Sequence, residues 1–256
     1  MDHGLVIHAP PFEGSVERLS ENLLVGDEED RLRNLATLLQ YRRGQTVYSQ
    51  GEEARYIYFI GSGIVRIFRS GEHGKRQIIS FRTAGDLCGL PEAGVHVNSA
   101  ETVSAGRIYR ISWQLFHPLL LATPHLQLVL LRKVAADFRQ AQSRIIMLGQ
   151  GNIFHRVATF LVDMMAITQF FDSEQSLLYL PMDRFDVADY LGTCPETAGR
   201  AFTKLEDMGI IRRITPRRIK INDTARLRLM QRGPRRSTRE TETPLATLEL
   251  SSALVN

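Results

Sequence analysis

The chain has 256 residues, 43% of them apolar and 23% charged, and a net charge of +4, which is the composition of a folded globular protein and excludes a disordered or fibrous one. The length suffices for one large domain or two ordinary ones. With only two cysteines, Cys88 and Cys194, a disulfide-dense secreted fold is excluded, as is any metal or iron–sulfur site built from three or four cysteines of one chain.

The first half of the chain predicts a β domain preceded by short helices. Paired leucines within residues 18–39 are typical of short helices that pack beside a domain. Between about residues 40 and 112, short β-branched and aromatic runs such as Tyr56–Ile60 alternate with glycines, a pattern typical of an all-β barrel or roll. We therefore predict an N-terminal extension with short helices over 1–39 and a cupin-like β-roll over 40–123, with Cys88 as an inert core residue.

After Pro124 the pattern changes to that of a long amphipathic helix, predicted over 124–149. Its apolar residues recur at spacings of three and four, close to a coiled-coil seam, and glycines end it. A core helix within one domain would show a similar pattern, but a long helix between a β domain and a helical domain favours a homodimer seam. The predicted dimer-interface residues are Leu130, Val134, Phe138, Ala141, Ile145 and Leu148.

Residues 150–232 have the pattern of a winged helix-turn-helix. One predicted helix ends at Gly192, and a second begins after only Thr193 and Cys194, which is the helix-turn-helix spacing. Two short strands joined through Thr215-Pro216-Arg217 predict a hairpin wing. Beyond it the periodicity is lost, and residues 233–256 are predicted to form a mobile tail.

Basic charge is concentrated in and around the predicted wing. Residues 209–232 contain eight lysines and arginines and one acid, Asp223, so the rest of the chain is net acidic. A run of charge can simply be a solvated face, but beside a helix-turn-helix it favours a surface that binds phosphates. Lysine and arginine on such a surface release counterions from DNA, which gives salt-sensitive affinity.

The second helix of the motif carries two residue types that read bases. Pro195 suits the first helical position, so Cys194 is the predicted N-cap. Glu196 and Arg200 lie four apart and share one face near the helix N-terminus, where arginine can donate to guanine and glutamate can accept from cytosine. An exposed salt bridge between the two is the alternative, and their spacing does not distinguish it. The predicted DNA-binding residues are Asp183, Arg184, Pro195, Glu196, Thr197, Arg200, Arg217 and Arg218.

Cys194 is also a candidate redox switch. A thiol at an N-cap points towards unpaired backbone N–H groups, and the helix dipole lowers its pKa. Oxidation at the DNA-facing surface would add charge and bulk and so reduce operator affinity. The alternative is a small residue that is simply tolerated at a cap.

The order of β-roll, long helix and winged helix-turn-helix resembles the CRP/FNR superfamily of bacterial transcription regulators over about residues 30–230. Residues 182–200 resemble its DNA-reading motif, and Gly61-Ser62-Gly63 and Ala84–Leu87 its β-roll. Residues 84–90 and 180–182 are most similar to the FixK branch, which regulates low-oxygen, nitrogen-oxide and nitrogen-fixation genes. The resemblance implies a homodimer on a palindromic operator, RNA polymerase as a partner, and base-reading roles for Glu196 and Arg200.

In the β-roll, the chain departs from the ligand-binding members of this family. Members that bind cyclic nucleotides have an acidic residue that binds the ribose hydroxyl, and this chain has Leu90 at the matching position. They also have an Arg-Ser pair that binds the phosphate, and this chain has Asn98-Ser99 there. Nothing before Cys88 can supply the N-terminal cysteine group that holds an iron–sulfur cluster, and the seven histidines show no ligand spacing. We therefore expect no cyclic nucleotide, no cofactor and no metal site. A regulator that responds to haem, nitric oxide or another small molecule remains an alternative.

In the DNA-reading motif, three residues differ from those of relatives. Pro195 replaces the additional base-reading arginine of cyclic-AMP members, and Gly199 replaces the serine of the FNR branch. These differences imply an FNR/FixK-like half-site. Asp183 is a predicted helix cap where most relatives have an uncharged residue near the DNA backbone, so its carboxylate should weaken binding.

The sequence thus predicts an α+β protein with an N-terminal β-roll, a long dimerisation helix and a C-terminal winged helix-turn-helix. Its predicted function is that of a homodimeric transcription regulator that binds double-stranded DNA and activates low-oxygen or nitrogen-metabolism genes. A β-roll ligand-binding protein that docks a protein partner is a second class, against which the wing charge argues. No catalytic motif appears, so we expect no enzyme. No apolar run approaches the roughly 20 residues of a membrane helix and no signal peptide is evident, so we expect a cytoplasmic protein without a membrane partner.

Overall fold

A computed structural model describes residues 27–71, 74–91, 94–150 and 152–231. The predicted extension before residue 27 and the predicted tail over 233–256 lie outside these described residues. The predicted fold class is confirmed, because two four-stranded antiparallel sheets, a long helix and a helix-turn-helix with a hairpin follow one another along the chain.

The β-roll consists, in the described residues, of eight strands in two sheets of order β1-β8-β3-β6 and β2-β7-β4-β5. The strands begin at Thr37, slightly before the predicted boundary at residue 40, because helix α1 ends at Leu35 and residues 37–41 pair with β8 along their length. The elements are α1 Asp27–Leu35, β1 Thr37–Tyr41, β2 Thr46–Tyr48, β3 Tyr56–Ser62, β4 Val65–Ser70, β5 Arg76–Arg82, β6 Leu87–Cys88, β7 Ser99–Thr102 and β8 Gly106–Ser112.

The two sheets enclose a core of alternating strand residues, among them Leu39, Ile67 and Ile108. Gly63 lets β3 turn tightly into β4 at φ +83°, and a Cβ there would lie 2.7 Å from a backbone carbonyl oxygen, so only glycine fits. Cys88 is buried in this core, and burial raises the pKa of its thiol to about 12. The thiol therefore stays protonated and unreactive.

Two helices follow the β-roll: α2, Trp113–Ala122, and α3, Pro124–Gln150. The start of α3 packs against the outer face of one sheet through Leu126 and Leu130. Among the described residues no single helix is long and apolar enough to span a membrane, and α2 with α3 passes that test only as a pair bent by 111°.

Of the six predicted dimer-interface residues on α3, four are exposed: Val134, Phe138, Ala141 and Ile145. Leu130 and Leu148 are half-buried and pack against cores of their own chain. The spacing of apolar residues is the same whether a side chain faces its own domain or a partner, so the pattern merged two neighbouring faces. The exposed apolar stripe consists of Leu131, Val134, Phe138, Ala141 and Ile145.

The C-terminal domain holds the helix-turn-helix between two pairs of short strands in a sheet of order β11-β12-β10-β9. The first helix of this domain ends at Met165, and Phe171-Asp172 forms a strand. The last helix was not predicted. The elements are α4 Ile153–Met165, β9 Phe171–Asp172, β10 Leu177–Tyr179, α5 Arg184–Leu191, α6 Pro195–Asp207, β11 Ile211–Thr215, β12 Arg218–Ile221 and α7 Thr224–Gln231.

This domain and the β-roll share one continuous hydrophobic core, in which Ile78 and Phe81 of β5 contact residues of the C-terminal domain. The Phe81 ring stacks on that of Tyr190 in α5 with centroids 5.5 Å apart. The β-roll therefore packs directly against the first helix of the helix-turn-helix.

Candidate nucleic-acid interface

The turn of the helix-turn-helix is set by a cap at each end of α5. Asp183 is the N-cap, and its carboxylate accepts hydrogen bonds from the backbone N–H groups of Phe185 at 3.0 Å and Asp186 at 2.9 Å. Gly192 ends the helix in the left-handed conformation at φ +65°. The chain then reaches Cys194, the predicted N-cap of α6, after one further residue.

Helix α6 presents a polar face to solvent because its apolar residues face inward. Ala198, Ala201 and Leu205 are buried, whereas Glu196 and Arg200 are exposed. Two further exposed residues of this helix, Thr203 and Lys204, were not among the predicted DNA-binding residues. Their spacing of three and four from Arg200 is the signal that could have found them.

Glu196 and Arg200 do not form the exposed salt bridge that was the alternative to base reading, as no ion pair joins them among the described residues. The Arg200 guanidinium instead donates to the Thr197 hydroxyl at 3.2 Å. Both side chains are therefore available for a ligand in front of the helix, and Thr197 supports one of them.

Cys194 is exposed at the N-cap of α6. Its sulfur lies 3.1 Å from Oγ1 of the Thr197 hydroxyl. The Thr197 hydroxyl and, after it, the Thr197 backbone N–H lower the pKa of the Cys194 thiol, and the neighbouring Glu196 carboxylate partly opposes them. The thiolate is thus favoured mainly by a neighbouring hydroxyl.

The wing divides its basic residues between structure and surface. Arg213 is held against α6, donating to the Glu206 carboxylate at 2.8 Å and to the Thr203 hydroxyl at 3.0 Å. Lys220 and Arg226 donate to backbone carbonyls. Exposed or half-exposed guanidiniums that pair with no described carboxylate remain at Arg212, Arg217 and Arg218.

One open cleft brings several of the predicted residues together. It has a volume of about 620 Å³ and lies between α5, α6 and the wing. Asp183, Arg184, Pro195, Glu196 and Arg217 all line it. Thr197, Arg200 and Arg218 lie outside its lining.

Two of these residues have additional partners. The Asp183 carboxylate lies 3.5 Å from the Arg43 guanidinium of the β-roll, with both side chains partly exposed. The Arg184 guanidinium lies over the Phe185 ring, 4.9 Å from its centroid. Asp183 is therefore a partly neutralised carboxylate at the edge of the cleft.

The positions that match the nucleotide-binding residues of relatives contain no cation. Leu90 and Asn98 are half-exposed, and the Ser99 hydroxyl accepts a hydrogen bond from the Gln50 backbone N–H at 2.9 Å. His96 is buried nearby, with its ring stacked on Tyr48 at 4.0 Å. Within the described part of the chain, no three His, Cys, Asp or Glu side chains form a group that could hold a metal.

Comparison with protein families matches two regions of the chain. Residues 38–123 match the cyclic nucleotide-binding domain, and residues 155–230 match the Crp-like helix-turn-helix domain.

Curated relatives match over most of their length. The nitrogen fixation regulation protein FixK of Azorhizobium caulinodans is 31% identical over 195 residues, or 76% of this chain and 79% of that protein. FixK of Bradyrhizobium diazoefficiens is 29% identical over 178 residues, or 70% and 75%. The transcriptional activator protein FnrA of Stutzerimonas stutzeri is 26% identical over 172 residues, or 66% and 70%.

Solved structures show the same architecture. FixK2 from Bradyrhizobium japonicum superposes with a TM-score of 0.71 at 29% identity, over 76% of this chain and 96% of that one. A CooA mutant from Carboxydothermus hydrogenoformans superposes with a TM-score of 0.70 over 89% and 98%, at 18% identity, and shows the fold alone.

Proposed function

Because the chain belongs to the CRP/FNR family of DNA-binding transcription regulators, with FixK proteins among its relatives, we propose that it acts as a homodimeric activator of low-oxygen or nitrogen-metabolism genes. The proteins of this family are regulators and not enzymes. The observation that carries the proposal is that Glu196 and Arg200 are exposed on α6, unpaired with one another, beside an exposed basic wing.

We assign α6 to the major groove of the operator. Glu196 would accept a hydrogen bond from cytosine, and Arg200 would donate two to guanine, each good pair contributing roughly 1–3 kcal/mol of discrimination. Arg212, Arg217 and Arg218 would bind phosphates, which positions the helix without reading sequence. The expected half-site is FNR/FixK-like.

The exposed stripe on α3 supports the homodimer. Phe138 is 62% exposed and Ile145 70%, which is unusual for large apolar side chains on a helix unless another surface covers them. A second copy packed on this stripe would pair the two α6 helices about a two-fold axis. They would then face half-sites about 34 Å apart on a palindromic operator. RNA polymerase is the partner expected of an activator.

The proposed regulator does not need a cyclic nucleotide. Neither Asn98 nor Ser99 can supply a positive charge for a cyclic phosphate, and the Ser99 hydroxyl is already engaged with the β-roll backbone. Leu90 offers no carboxylate to the ribose hydroxyl.

The test is selection of operators from random DNA by the purified full chain, with no ligand added. We expect enrichment of an FNR/FixK-like palindrome with strongly salt-dependent affinity. Recovery of no sequence, or binding indifferent to salt, contradicts the proposal.

Base reading is then tested with Arg200→Ala and Glu196→Ala. Each should relax the preference at one position of each half-site and weaken binding by roughly 1–3 kcal/mol. Arg69→Ala removes the same charge from an exposed site on β4 and is the matched control. If Arg200→Ala keeps the full base preference, the assignment of Arg200 is wrong.

A further inference from the structure

A cavity of about 430 Å³ lies where the β-roll, α3 and the C-terminal domain meet. It is separate from the cleft beside α6 and from the positions of the β-roll that match nucleotide-binding residues. Its size falls within the range of small-molecule sites, which are common at domain junctions. The lining includes Phe81, Arg139, Arg144, Met147, Thr159, Asp163 and Tyr190.

Two polar side chains of this lining have atoms that are buried without a partner. The Arg144 guanidinium donates through Nη2 to the carbonyls of Ile78 and Tyr190, but its Nη1 has no hydrogen-bond partner among the described residues. The Thr159 hydroxyl is likewise buried and unpaired there. Buried donors without acceptors are costly and uncommon, so two beside one cavity indicate a missing acceptor.

The charge balance of the cavity favours an anion. Arg139 is exposed on α3, and Arg144, about one and a half turns further along, is half-buried. They face a single carboxyl group, that of Asp163. Burial raises the pKa of Asp163 to about 6, so this carboxyl loses much of its negative charge under mildly acidic conditions.

The remaining lining is apolar or aromatic. Met147 and Met164 are buried, and the stacked rings of Phe81 and Tyr190 form one wall. A ligand here would combine a charged oxygen group with an apolar body.

The cavity also lies clear of the proposed dimer seam. At 3.6 residues per turn, Arg139, Ser143 and Met147 lie on the side of α3 away from Phe138 and Ile145. A second copy on the seam would therefore leave the cavity open.

We propose that this cavity binds a small organic acid, whose carboxylate accepts from the Arg144 guanidinium and the Thr159 hydroxyl. The apolar body of the ligand lies against the Phe81–Tyr190 wall. Because Arg144 already joins a carbonyl of β5 to one of α5, the bound acid contacts the β-roll and the helix-turn-helix together. The site does not depend on the proposed function.

The first test measures binding to the full chain in the absence of DNA, by calorimetry or ligand-observed NMR. Benzoate is the probe, with isosteric benzamide and cationic benzylamine as comparisons. We expect benzoate to bind with a Kd on the order of 1 mM, as its few atoms allow, and benzamide at least about fivefold more weakly. Absence of benzoate binding, or equal affinity for benzoate and benzamide, overturns the proposal.

Variants then locate the site without removing the structural bonds of Arg144. Arg139→Gln and the isosteric Thr159→Val should each weaken benzoate binding several-fold with the fold intact by circular dichroism. Arg132→Gln, exposed two turns earlier on α3 and outside the lining, is the matched control. If all three variants bind like the wild type, benzoate binds elsewhere and the assignment fails.

The pH dependence gives an independent readout. Arg139 and Arg144 of α3 and Tyr190 of α5 are the other titratable side chains of this lining. Protonated Asp163 can donate to the ligand carboxylate, whereas ionised Asp163 repels it. Benzoate affinity should therefore rise from about pH 7.5 to about pH 5.5, and Asp163→Asn should abolish that rise. If the wild-type protein binds benzoate more weakly at about pH 5.5 than at about pH 7.5, the proposal is overturned.

Discussion

The Thr197 hydroxyl connects two side chains with different proposed roles at the start of α6. It lies 3.1 Å from the Cys194 sulfur and accepts a hydrogen bond from Arg200 at 3.2 Å. An anionic oxidised sulfur at Cys194 would compete for these same donors. It would therefore displace a proposed base-reading guanidinium as well as repel phosphate.

We predict that peroxide inhibits operator binding through Cys194. The thiolate attacks peroxide to give a sulfenate and water, and the pKa lowered by Thr197 favours the thiolate. Wild type should lose operator affinity on treatment, whereas Cys194→Ala should keep it, as measured by fluorescence titration. Because Cys88 is buried, equal loss in both proteins would rule out a thiol switch at Cys194.

Asp183→Ser should tighten operator binding several-fold. Serine preserves the N-cap of α5 and removes a carboxylate from the edge of the cleft beside α6. The Arg43 guanidinium, 3.5 Å away, would also become available to phosphate.

The matched control is Asp223→Ser, because the Asp223 carboxylate likewise accepts a backbone N–H at the start of a helix, that of Arg226 at 2.8 Å. It should leave affinity nearly unchanged. Weaker or unchanged binding by Asp183→Ser in the same titration would show that the carboxylate does not face phosphate.

At the scale of elements, α3 has two distinct apolar faces. One, with Leu126 and Leu130, packs on the β-roll; the other, with Val134, Phe138 and Ile145, is exposed. Because the two faces are only about a quarter turn apart, the spacing of apolar residues alone does not separate them.

Phe138→Glu should dissociate the proposed dimer, because the two-fold axis would place the two introduced carboxylates close together in an apolar seam. We expect the dimer Kd to rise at least about 100-fold in sedimentation experiments. Ala136→Glu adds the same charge on an exposed position of the opposite side of α3 and should leave association intact. An unchanged sedimentation coefficient for Phe138→Glu would mean that another surface forms the dimer.

At the scale of the whole molecule, a buried ion-pair cluster joins the β-roll to the helix-turn-helix. Asp186 of α5 is fully buried and accepts from Arg66 at 2.8 and 3.0 Å and from Arg76 at 2.9 Å. Arg66 also pairs with Glu101, and Arg76 with Asp189. This cluster fixes the orientation of α5 on strands β4 and β5.

Asp186→Ala should therefore destabilise the protein strongly, by about 3–5 kcal/mol, because it leaves two desolvated guanidiniums short of a partner. Asp189→Ala removes a partly exposed carboxylate from the same cluster and should cost about 1 kcal/mol or less. Urea unfolding followed by circular dichroism measures both. A loss of about 1 kcal/mol or less for Asp186→Ala would show that the Asp186 contacts contribute little.

The local elements were predictable because their signals are local. Glycine spacing predicted the β-roll, and Gly192 with Pro195 predicted the turn and the start of α6, since backbone geometry at those positions depends on the residue itself. The start of β1 at Thr37 was missed because strand pairing with β8, far along the chain, decides it.

The sequence by itself determined the order of β-roll, long helix and helix-turn-helix, and the family, because periodicity and motif spacing lie within short segments. Tertiary structure alone decided that Arg213 supports α6 through Glu206, that Asp186 meets Arg66, 120 residues away, and that Arg144 and Thr159 border one cavity. These pairings form where segments that are distant in the sequence pack together. The residue type alone does not show whether a charged side chain is buried or exposed.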